Sequence, residues 1–300
     1  MSFLWFLSEM RVPVLTYFLM GISYIGTPFA VVGIIALFYW NINKKLAYGM
    51  SFSFFVSCLL CQGIKIIARV PRPWLLDPTF SAVDIAIPSA GGYSFPSIHT
   101  AGSTALYISM FLFYKKKGVR SFCLGLLSLI IFSRMYLGCH TPLDVTVAFI
   151  ITLITTLVIT FFWNRYGDQK KDDVIVAFFL GALAVALLVL DGSLFGNGTV
   201  DFSNAKDGFE TAGLALGFVF GFPLERRSVN FVNEAPGAKK ALRFIIGLAV
   251  ALIIELGFKL LNDTNVFLII FRYALNGFWI TYLWPKIFTR YENVQKKPAV

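Results

Sequence analysis

Both histidines of this 300-residue chain stand in short polar motifs, and one of them is followed by an aspartate. Asp144 comes four residues after His140, while His99 closes a Pro-Ser-Ile-His run. A carboxylate beside an imidazole holds the ring in one tautomer and makes it a better nucleophile, and a second histidine can supply a proton. The spacing therefore indicates a nucleophile with its orienting acid and a separate general acid.

Three basic residues accompany the histidines at one predicted membrane level. Lys65 precedes Arg72 by seven positions, and Arg134 lies six residues before the second histidine. Lysine offers a phosphate a point charge, and arginine offers a planar fork of N–H donors. Ser97 and Ile98 open a predicted span, where free backbone N–H groups and the helix dipole favour an anion. We therefore expect one phosphate-binding site.

Each of these residues also has a purely structural interpretation. Lys65 near the end of a span can extend to the lipid headgroups, and Ser97 can be only an N-cap, with His99 merely interfacial. Asp144 fits a capping box at the start of the next span. Arg134 is harder to explain in this way, because an arginine without an acid in its own helix usually faces a polar cavity. Together these explanations require several coincidences at one depth, which favours a single anion site.

The composition places this site in a membrane protein. Hydrophobic residues make up 57% of the chain, charged residues make up 14%, and the mean hydropathy is +0.74, whereas soluble proteins carry about 25% charged residues. The net charge of +10 does not indicate a nucleic-acid partner, because the basic residues form short clusters between apolar runs. The four cysteines lie in or beside apolar runs, and the acids near the motifs are too few for a two-metal cluster. We expect no metal and no cofactor.

Apolar runs long enough to cross a hydrocarbon core of about 30 Å recur along the chain, and they predict an all-α polytopic transmembrane bundle. About nine spans are predicted, at 22–41, 46–69, 97–114, 118–138, 142–163, 173–191, 208–224, 241–261 and 266–285. Basic clusters fall in every second connection, which the positive-inside rule places in the cytoplasm, so the motifs face outward. We divide the chain into an interfacial segment (1–21), a catalytic core (22–166) and additional transmembrane helices packed on that core (167–300).

The last four spans carry no obvious chemistry, but two patterns stand out. Glu255, Lys259 and Arg272 lie in the last two spans and predict either a buried ion-paired cluster or part of a lipid headgroup pocket. Glycines recur every four residues within 213–221, which favours close packing against another helix or a second subunit. A homo-oligomer is therefore left open.

Taken together, the motifs resemble the signature of the type 2 phosphatidic acid phosphatase superfamily. That signature is a lysine, six residues and Arg-Pro; then Pro-Ser-Gly-His; then Ser-Arg, five residues, a histidine, three residues and an aspartate. The order and internal spacings match over about residues 60–150. The chain departs at Ile98, where the usual residue is glycine, and sphingosine-1-phosphate and dolichyl pyrophosphate phosphatases are similar in replacing it. A β-branched residue disfavours a left-handed backbone and narrows the space beside a phosphate.

The resemblance implies a fold and a role for each residue. It implies a six-helix phosphatase-type core, to which this chain adds C-terminal helices. His140 would attack phosphorus to give a phosphohistidine, Asp144 would orient it, and His99 would protonate the leaving group. The phosphoryl oxygens would be held by Lys65, Arg72, Ser97, Ile98 and Arg134.

We therefore predict an integral membrane phosphatase, independent of metal, that hydrolyses a lipid phosphomonoester or pyrophosphate. It would act on the extracytoplasmic side of the cell membrane, with membrane lipids around it and a lipid phosphate or polyprenyl pyrophosphate as substrate. One alternative is a lipid phosphotransferase that uses a polyprenyl pyrophosphate as donor. Another is a non-catalytic lipid-phosphate binding or transport protein, although a transporter should carry its charges near the midplane and a binding protein does not need the histidines.

Overall fold

The computed structural model describes residues 1–295, which are predominantly helical and contain no strand. The predicted all-α class is therefore confirmed, and residues 296–300 of the predicted C-terminal part lie outside the described range. The α-helices in chain order are α1 (Ser2–Glu9), α2 (Pro13–Ile25), α3 (Pro28–Leu37), α4 (Lys44–Ala68), α5 (Pro73–Leu76), α6 (Ile98–Phe113), α7 (Lys117–Tyr136), α8 (Pro142–Tyr166), α9 (Asp173–Gly196), α10 (Phe202–Leu224), α11 (Gly237–Leu261), α12 (Val266–Phe278) and α13 (Trp284–Gln295). Turns of π-helix extend α3, α10 and α12.

Local sequence determines where the helices begin. Asn43, Ser97, Thr141 and Asn265 each accept a hydrogen bond from a backbone N–H in the first turn of the helix that follows. Proline is the first residue of α2, α3, α5 and α8, where its preset φ suits the helix and its missing N–H costs nothing. The caps of α6 and α8 lie within the polar motifs, so helix capping also positions the candidate site.

Eight of the nine predicted spans coincide with continuous helical segments, and the first covers the end of α2, a bend and α3. The number that cross a membrane stays a prediction. Within residues 1–295, six helical segments are long and apolar enough to span. The bent pair Pro13–Ile25 and Pro28–Ile42 would make a seventh. The remaining two predicted spans correspond to α6, which has only 16 residues, and to α10, whose first half contains Lys206, Asp207 and Glu210.

The centre of the bundle is α4. The most apolar stretch of segment 44–76 is 72% buried inside the protein, whereas the other five candidate spans are 11–28% buried. Helices α6, α8, α9 and α10 pack around it. In its N-terminal half, Phe52 and Phe55 of α4 contact Phe218 of α10 with ring centroids 5.2 and 5.0 Å apart. Because α4 is enclosed in this way, Lys65 near its C-terminal end is buried inside the protein.

The N-terminal segment packs against the helical bundle. The predicted boundary at residue 21 falls inside α2, which packs along α7. The predicted first span is interrupted after α2, where the chain bends by 56° into α3. The bend brings Gly26 so close to α7 that a Cβ there would lie 2.6 Å from Ile130 Cγ2. The break therefore keeps the end of α2 against α7.

The two patterns of the C-terminal part both serve packing within the chain. Arg272 lies 3.4 Å from a Glu255 oxygen and 3.2 Å from an Asp263 oxygen, whereas Lys259 is exposed. The predicted ion-paired cluster is thus present, with Arg272 at its centre. The glycine pattern faces α12, because a Cβ on Gly217 would overlap the Ala274 carbonyl oxygen.

Replacing Gly217 by alanine should destabilise the protein, since the added methyl has a backbone carbonyl in its path. Overpacking of this kind costs about 1–3 kcal/mol, and backbone cannot move aside as a flexible side chain can. We expect Gly217→Ala to lower the midpoint of thermal unfolding in detergent micelles. Gly257→Ala in α11 is the matched control, because nothing lies within 4 Å of its Cβ position. Equal midpoints for the two variants would contradict the close approach of α10 and α12.

Candidate functional site

The structure brings the predicted site residues together at one end of the bundle. They come from the end of α4, the loop 69–97, the start of α6, the end of α7, the corner 137–141 and the start of α8. Each is at most 9% exposed: Lys65, Arg72, Ser97, Ile98, His99, Arg134, His140 and Asp144. By contrast Arg69, which ends α4 with φ +50°, is exposed.

Asp144 lies in the capping box that the sequence predicted and also beside His140. One of its carboxylate oxygens accepts hydrogen bonds from the Thr141 backbone N–H at 2.7 Å and from Ser94 Oγ at 2.7 Å. Thr141 completes a capping box at the start of α8. The same oxygen lies 3.7 Å from His140 Nδ1. The cap therefore holds the carboxylate in place beside the imidazole.

Arg72 ties the loop to the corner. Its Nε donates to the Gly92 carbonyl at 3.0 Å, and its Nη2 donates to the Gly91 carbonyl. Its Nη1 donates to the Cys139 carbonyl at 3.1 Å and contacts His140 Nε2 at 3.0 Å. Four of the five guanidinium N–H groups thus have protein acceptors. The sequence predicted a phosphate ligand here, and that role stays a prediction; in the structure Arg72 joins the loop to the corner and keeps one N–H without a protein acceptor.

The contacts with Arg72 favour one tautomer of His140. Arg72 Nη1 lies 3.0 Å from His140 Nε2 and 3.5 Å from Nδ1, and because a guanidinium has no acceptor we assign the nearer nitrogen, Nε2, as the acceptor. The ring proton then sits on Nδ1, on the side of Asp144 and of Ser94 Oγ, which lies 3.5 Å away. His140 therefore presents an unprotonated Nε2.

Arg134 and Lys65 keep unused donors. Arg134 Nη1 donates to Ser23 Oγ at 2.7 Å, while its Nε and Nη2 are buried without a hydrogen-bond partner among the described residues. Lys65 Nζ donates to the Tyr93 carbonyl at 2.7 Å. The positive charges of both side chains lie close enough to His140 to lower the pKa of its imidazole. Their free N–H groups suit an anion that lies beside the imidazole.

The start of α6 provides a second histidine and a helix N-terminus. Ser97 Oγ caps the helix by accepting from the Thr100 N–H at 3.4 Å. His99 is 7% exposed, and its Nε2 has no hydrogen-bond partner in the described part of the chain. His99 lies within electrostatic range of His140. Ile98 is the first helical residue and joins the apolar core, so its place requires no left-handed backbone.

Two serines that make these contacts were not predicted from the sequence. Ser94 binds Asp144, and Ser23 binds Arg134. Ser94 stands three residues before Ser97, and its polar neighbourhood was the signal available for it. Ser23 lies in an apolar helix 111 residues away from its partner, and no local pattern points to it.

The corner that carries His140 depends on a glycine. Gly138 has φ +78°, and a Cβ there would lie 2.8 Å from Arg11 Nη2 and 3.0 Å from the Ala82 backbone. Arg11 itself donates to the carbonyls of Tyr136 and Ser81, which joins α7 to the loop. The corner is thus packed between the N-terminal segment and the loop.

Two family models match the chain. A model of the PAP2 superfamily, the type 2 phosphatidic acid phosphatases, matches residues 44–168. A second model, described as a transmembrane extension of PAP2 superfamily phosphatases, matches residues 209–296. The two models lie one after the other along the chain, and the first contains every predicted site residue.

Curated relatives each match part of the chain. Undecaprenyl-diphosphatase BcrC of Bacillus subtilis (strain 168) is 34% identical over 108 residues, which are 36% of this chain and 51% of that protein. Sphingosine-1-phosphate phosphatase 1 of Mus musculus is 30% identical over 125 residues, which are 40% of this chain and 28% of that protein. The chain thus spans about half of the first relative and little more than a quarter of the second. Among solved structures, Aquifex aeolicus LpxE aligns with a TM-score of 0.47 at 22% identity, over 53% of this chain and 93% of that one.

Gly138→Ala should disturb the corner beyond the cost of its backbone conformation. An L-residue in the left-handed region costs about 1–2 kcal/mol, and here the methyl also meets Arg11 and the Ala82 backbone. Gly198→Ala is the matched control, because Gly198 has φ +74° and nothing within 4 Å of its Cβ position. We expect the thermal midpoint to fall clearly further for Gly138→Ala. A smaller fall than in the control would show that the corner is not tightly packed.

Stability should fall in mild acid, because burial and the charges of Arg72, Arg134 and Lys65 lower the pKa of His140 well below its usual 6.5. The unfolded imidazole gains a proton as the pH drops through 6.5, whereas the folded one stays neutral, so protonation favours unfolding. The loss begins near pH 6.5 and levels off below the folded pKa. Melting curves of wild type and His140→Asn between pH 7.5 and 5 test this.

The advantage of wild type over His140→Asn, if any, should shrink or reverse as the pH falls. The comparison cancels every other titrating group that the two proteins share. Parallel pH profiles would contradict the lowered pKa.

Proposed function

Since the chain belongs to the PAP2 superfamily, we propose that it is a membrane phosphatase that hydrolyses a lipid phosphomonoester or pyrophosphate through a phosphohistidine. The observation that carries the proposal is the imidazole of His140, which presents an unprotonated Nε2 beside the unused donors of Lys65 and Arg134. A buried nucleophile next to buried cations suits an anionic phosphorus centre.

In the first step, His140 Nε2 forms a bond to phosphorus while the bond to the leaving oxygen breaks. Protonated His99 donates its proton to that oxygen, which leaves as an alcohol or as a phosphate. Asp144, held by its cap, stabilises the positive charge that develops on the ring through the Nδ1 proton. The phosphoryl oxygens replace Nε2 as the acceptor of the Arg72 Nη1 hydrogen bond.

The anion is held from several sides in this proposal. Lys65 and Arg134 donate their free N–H groups, and the first backbone N–H groups of α6, next to Ser97 and Ile98, add the positive end of the helix dipole. In the second step water attacks the phosphohistidine, the N–P bond breaks, and neutral His99 accepts the proton of the water. Inorganic phosphate and free His140 result.

The proposed substrate class and membrane side are both inferred from where the site lies in the helical bundle. The site lies at the ends of helices rather than in the middle of the bundle, so a phosphate at headgroup level can reach it while its chains stay in hydrocarbon. The connections on the opposite side carry the basic clusters, and the positive-inside rule assigns those to the cytoplasm. We therefore place the site on the extracytoplasmic side.

Purified wild-type protein should release phosphate from at least one lipid of a panel in the presence of a chelator. The panel contains undecaprenyl pyrophosphate, phosphatidate, phosphatidylglycerophosphate and sphingosine-1-phosphate. A substrate labelled with ³²P in the transferred phosphoryl group should leave an acid-labile, alkali-stable label on the protein. His140→Ala should remove both signals by removing the nucleophile.

His99→Ala provides the contrast within the same site. Without the proton donor the rate should fall more for a phosphomonoester, whose alkoxide is a poor leaving group, than for a pyrophosphate. Appearance of the label in a second lipid, with none in water, would indicate a phosphotransferase. Unchanged phosphate release by His140→Ala would refute the proposed mechanism.

A further inference from the structure

Arg134 is held by a residue that lies outside both segments matched by the PAP2 models. Ser23, near the end of α2, accepts a hydrogen bond from Arg134 Nη1 at 2.7 Å. Ser23 is 2% exposed and Arg134 is 0% exposed. Among residues 1–295, no carboxylate lies within ion-pairing distance of this guanidinium. The serine is thus the side chain that fixes its position.

The nitrogen that Ser23 binds decides which edge of the guanidinium stays free. Nε and Nη2 carry two parallel N–H bonds on one edge, and both are buried without a hydrogen-bond partner in the described range. Such an edge matches two oxygens of a phosphate in a bidentate pair. Because Ser23 holds Nη1, the edge that remains open is the one best suited to a phosphate.

The fold keeps Ser23 at this place. Helix α2 runs along α7, and its start is joined to α7 by the Val12 N–H, which donates to Tyr136 Oη at 3.1 Å. Its end is fixed by the bend at Gly26, which packs against Ile130. Ser23 therefore faces Arg134 between two anchored points, and a hydroxyl in a moving helix would not hold a guanidinium in one orientation.

We propose that Ser23 is a positioning residue of the phosphatase site, which acts through Arg134. By holding Nη1 it keeps the guanidinium plane turned so that the Nε and Nη2 edge meets the phosphoryl group. The inference rests on the proposed function, in which Arg134 binds the phosphate. The proposed role of Ser23 also includes α2 in the catalytic unit, which therefore begins before residue 44.

The main test compares three serine variants. Ser23→Ala removes the acceptor, and a hydrogen bond to a charged group is worth enough to predict a fall in kcat/KM of about tenfold. Ser23→Thr keeps the hydroxyl and should recover most of the activity. Ser109→Ala is the matched control, because Ser109 is 3% exposed and donates only to its own helix, at the Ala105 carbonyl. It should stay within twofold of wild type.

Two further readouts separate positioning from structural support. The inhibition constant of inorganic phosphate should rise in Ser23→Ala but not in Ser109→Ala, while the two variants melt at similar temperatures. In an Arg134→Lys background, Ser23→Ala should have little additional effect, because an ammonium has no edge to orient. Full additivity of the two changes would overturn the proposal, and so would equal kinetics for Ser23→Ala and Ser109→Ala.

The same variants distinguish this inference from the proposed function. If wild type hydrolyses no lipid phosphate but binds inorganic phosphate, and Ser23→Ala weakens that binding about tenfold, the proposed reaction fails and the positioning role stands. If wild type hydrolyses lipid phosphate and Ser23→Ala leaves kcat/KM and phosphate inhibition unchanged, the reaction stands and the positioning role fails. If neither hydrolysis nor phosphate binding is detected in wild type, both are refuted.

Discussion

The structure must stabilise three buried basic side chains, Lys65, Arg72 and Arg134, with few carboxylates nearby. Asp144 and Asp207 are the two that lie within electrostatic range of Lys65 and Arg72. Moving a charge out of water costs several kcal/mol unless hydrogen bonds compensate. Here most of the compensation comes from neutral oxygen atoms, which stabilise a cation without cancelling its charge. The acceptors are the carbonyls of Gly91, Gly92, Tyr93 and Cys139 and the hydroxyl of Ser23. The cluster therefore keeps the positive charge that the proposed binding of an anion requires.

This requirement explains the shape of the loop and of the corner. Carbonyls can point at Lys65 and Arg72 only if the loop folds back over the end of α4, and the Ser94 N–H, which donates to the Val70 carbonyl at 2.8 Å, closes that fold. The corner must place the Cys139 carbonyl and the His140 ring on the same guanidinium, and the left-handed Gly138 turns the chain to do so. In this region the backbone conformation thus determines which carbonyls stabilise the buried cations.

The sequence predicted the helices and the residues that the structure brings together, because hydropathy and helix caps are local signals. It also gave Asp144 two interpretations that turned out to be compatible, since a capping carboxylate can lie beside an imidazole. The bend after α2 was missed, because an apolar run looks continuous to hydropathy. Ser23 and the carbonyl ligands of Arg72 were missed for a different reason: such contacts join distant segments, and carbonyls belong to every residue type.

The structure also shows which backbone conformation Ile98 adopts where the family usually has glycine, and the sequence alone could not show this. A β-branched residue is unfavourable where the backbone is left-handed, but Ile98 occupies the first turn of α6, where the backbone is helical. Its side chain packs into the apolar core, and its N–H stays among the free donors of the helix start. The substitution therefore leaves the backbone N–H groups at the start of α6 in place for the proposed binding of an anion.

Arg72 and Arg134 differ in how many of their N–H groups are already bound by the protein, and this suggests different roles for them in the proposed reaction. Arg72 is in the loop and spends four N–H groups on holding the loop and the nucleophile, whereas Arg134 is in a helix and keeps one whole edge open. An anion is bound most firmly by donors whose positions are fixed beforehand, because little ordering remains to oppose binding. Helices α4 and α7 supply such donors through Lys65 and Arg134. In the proposed reaction the loop contributes through Arg72, which contacts the His140 ring first and a phosphoryl oxygen later.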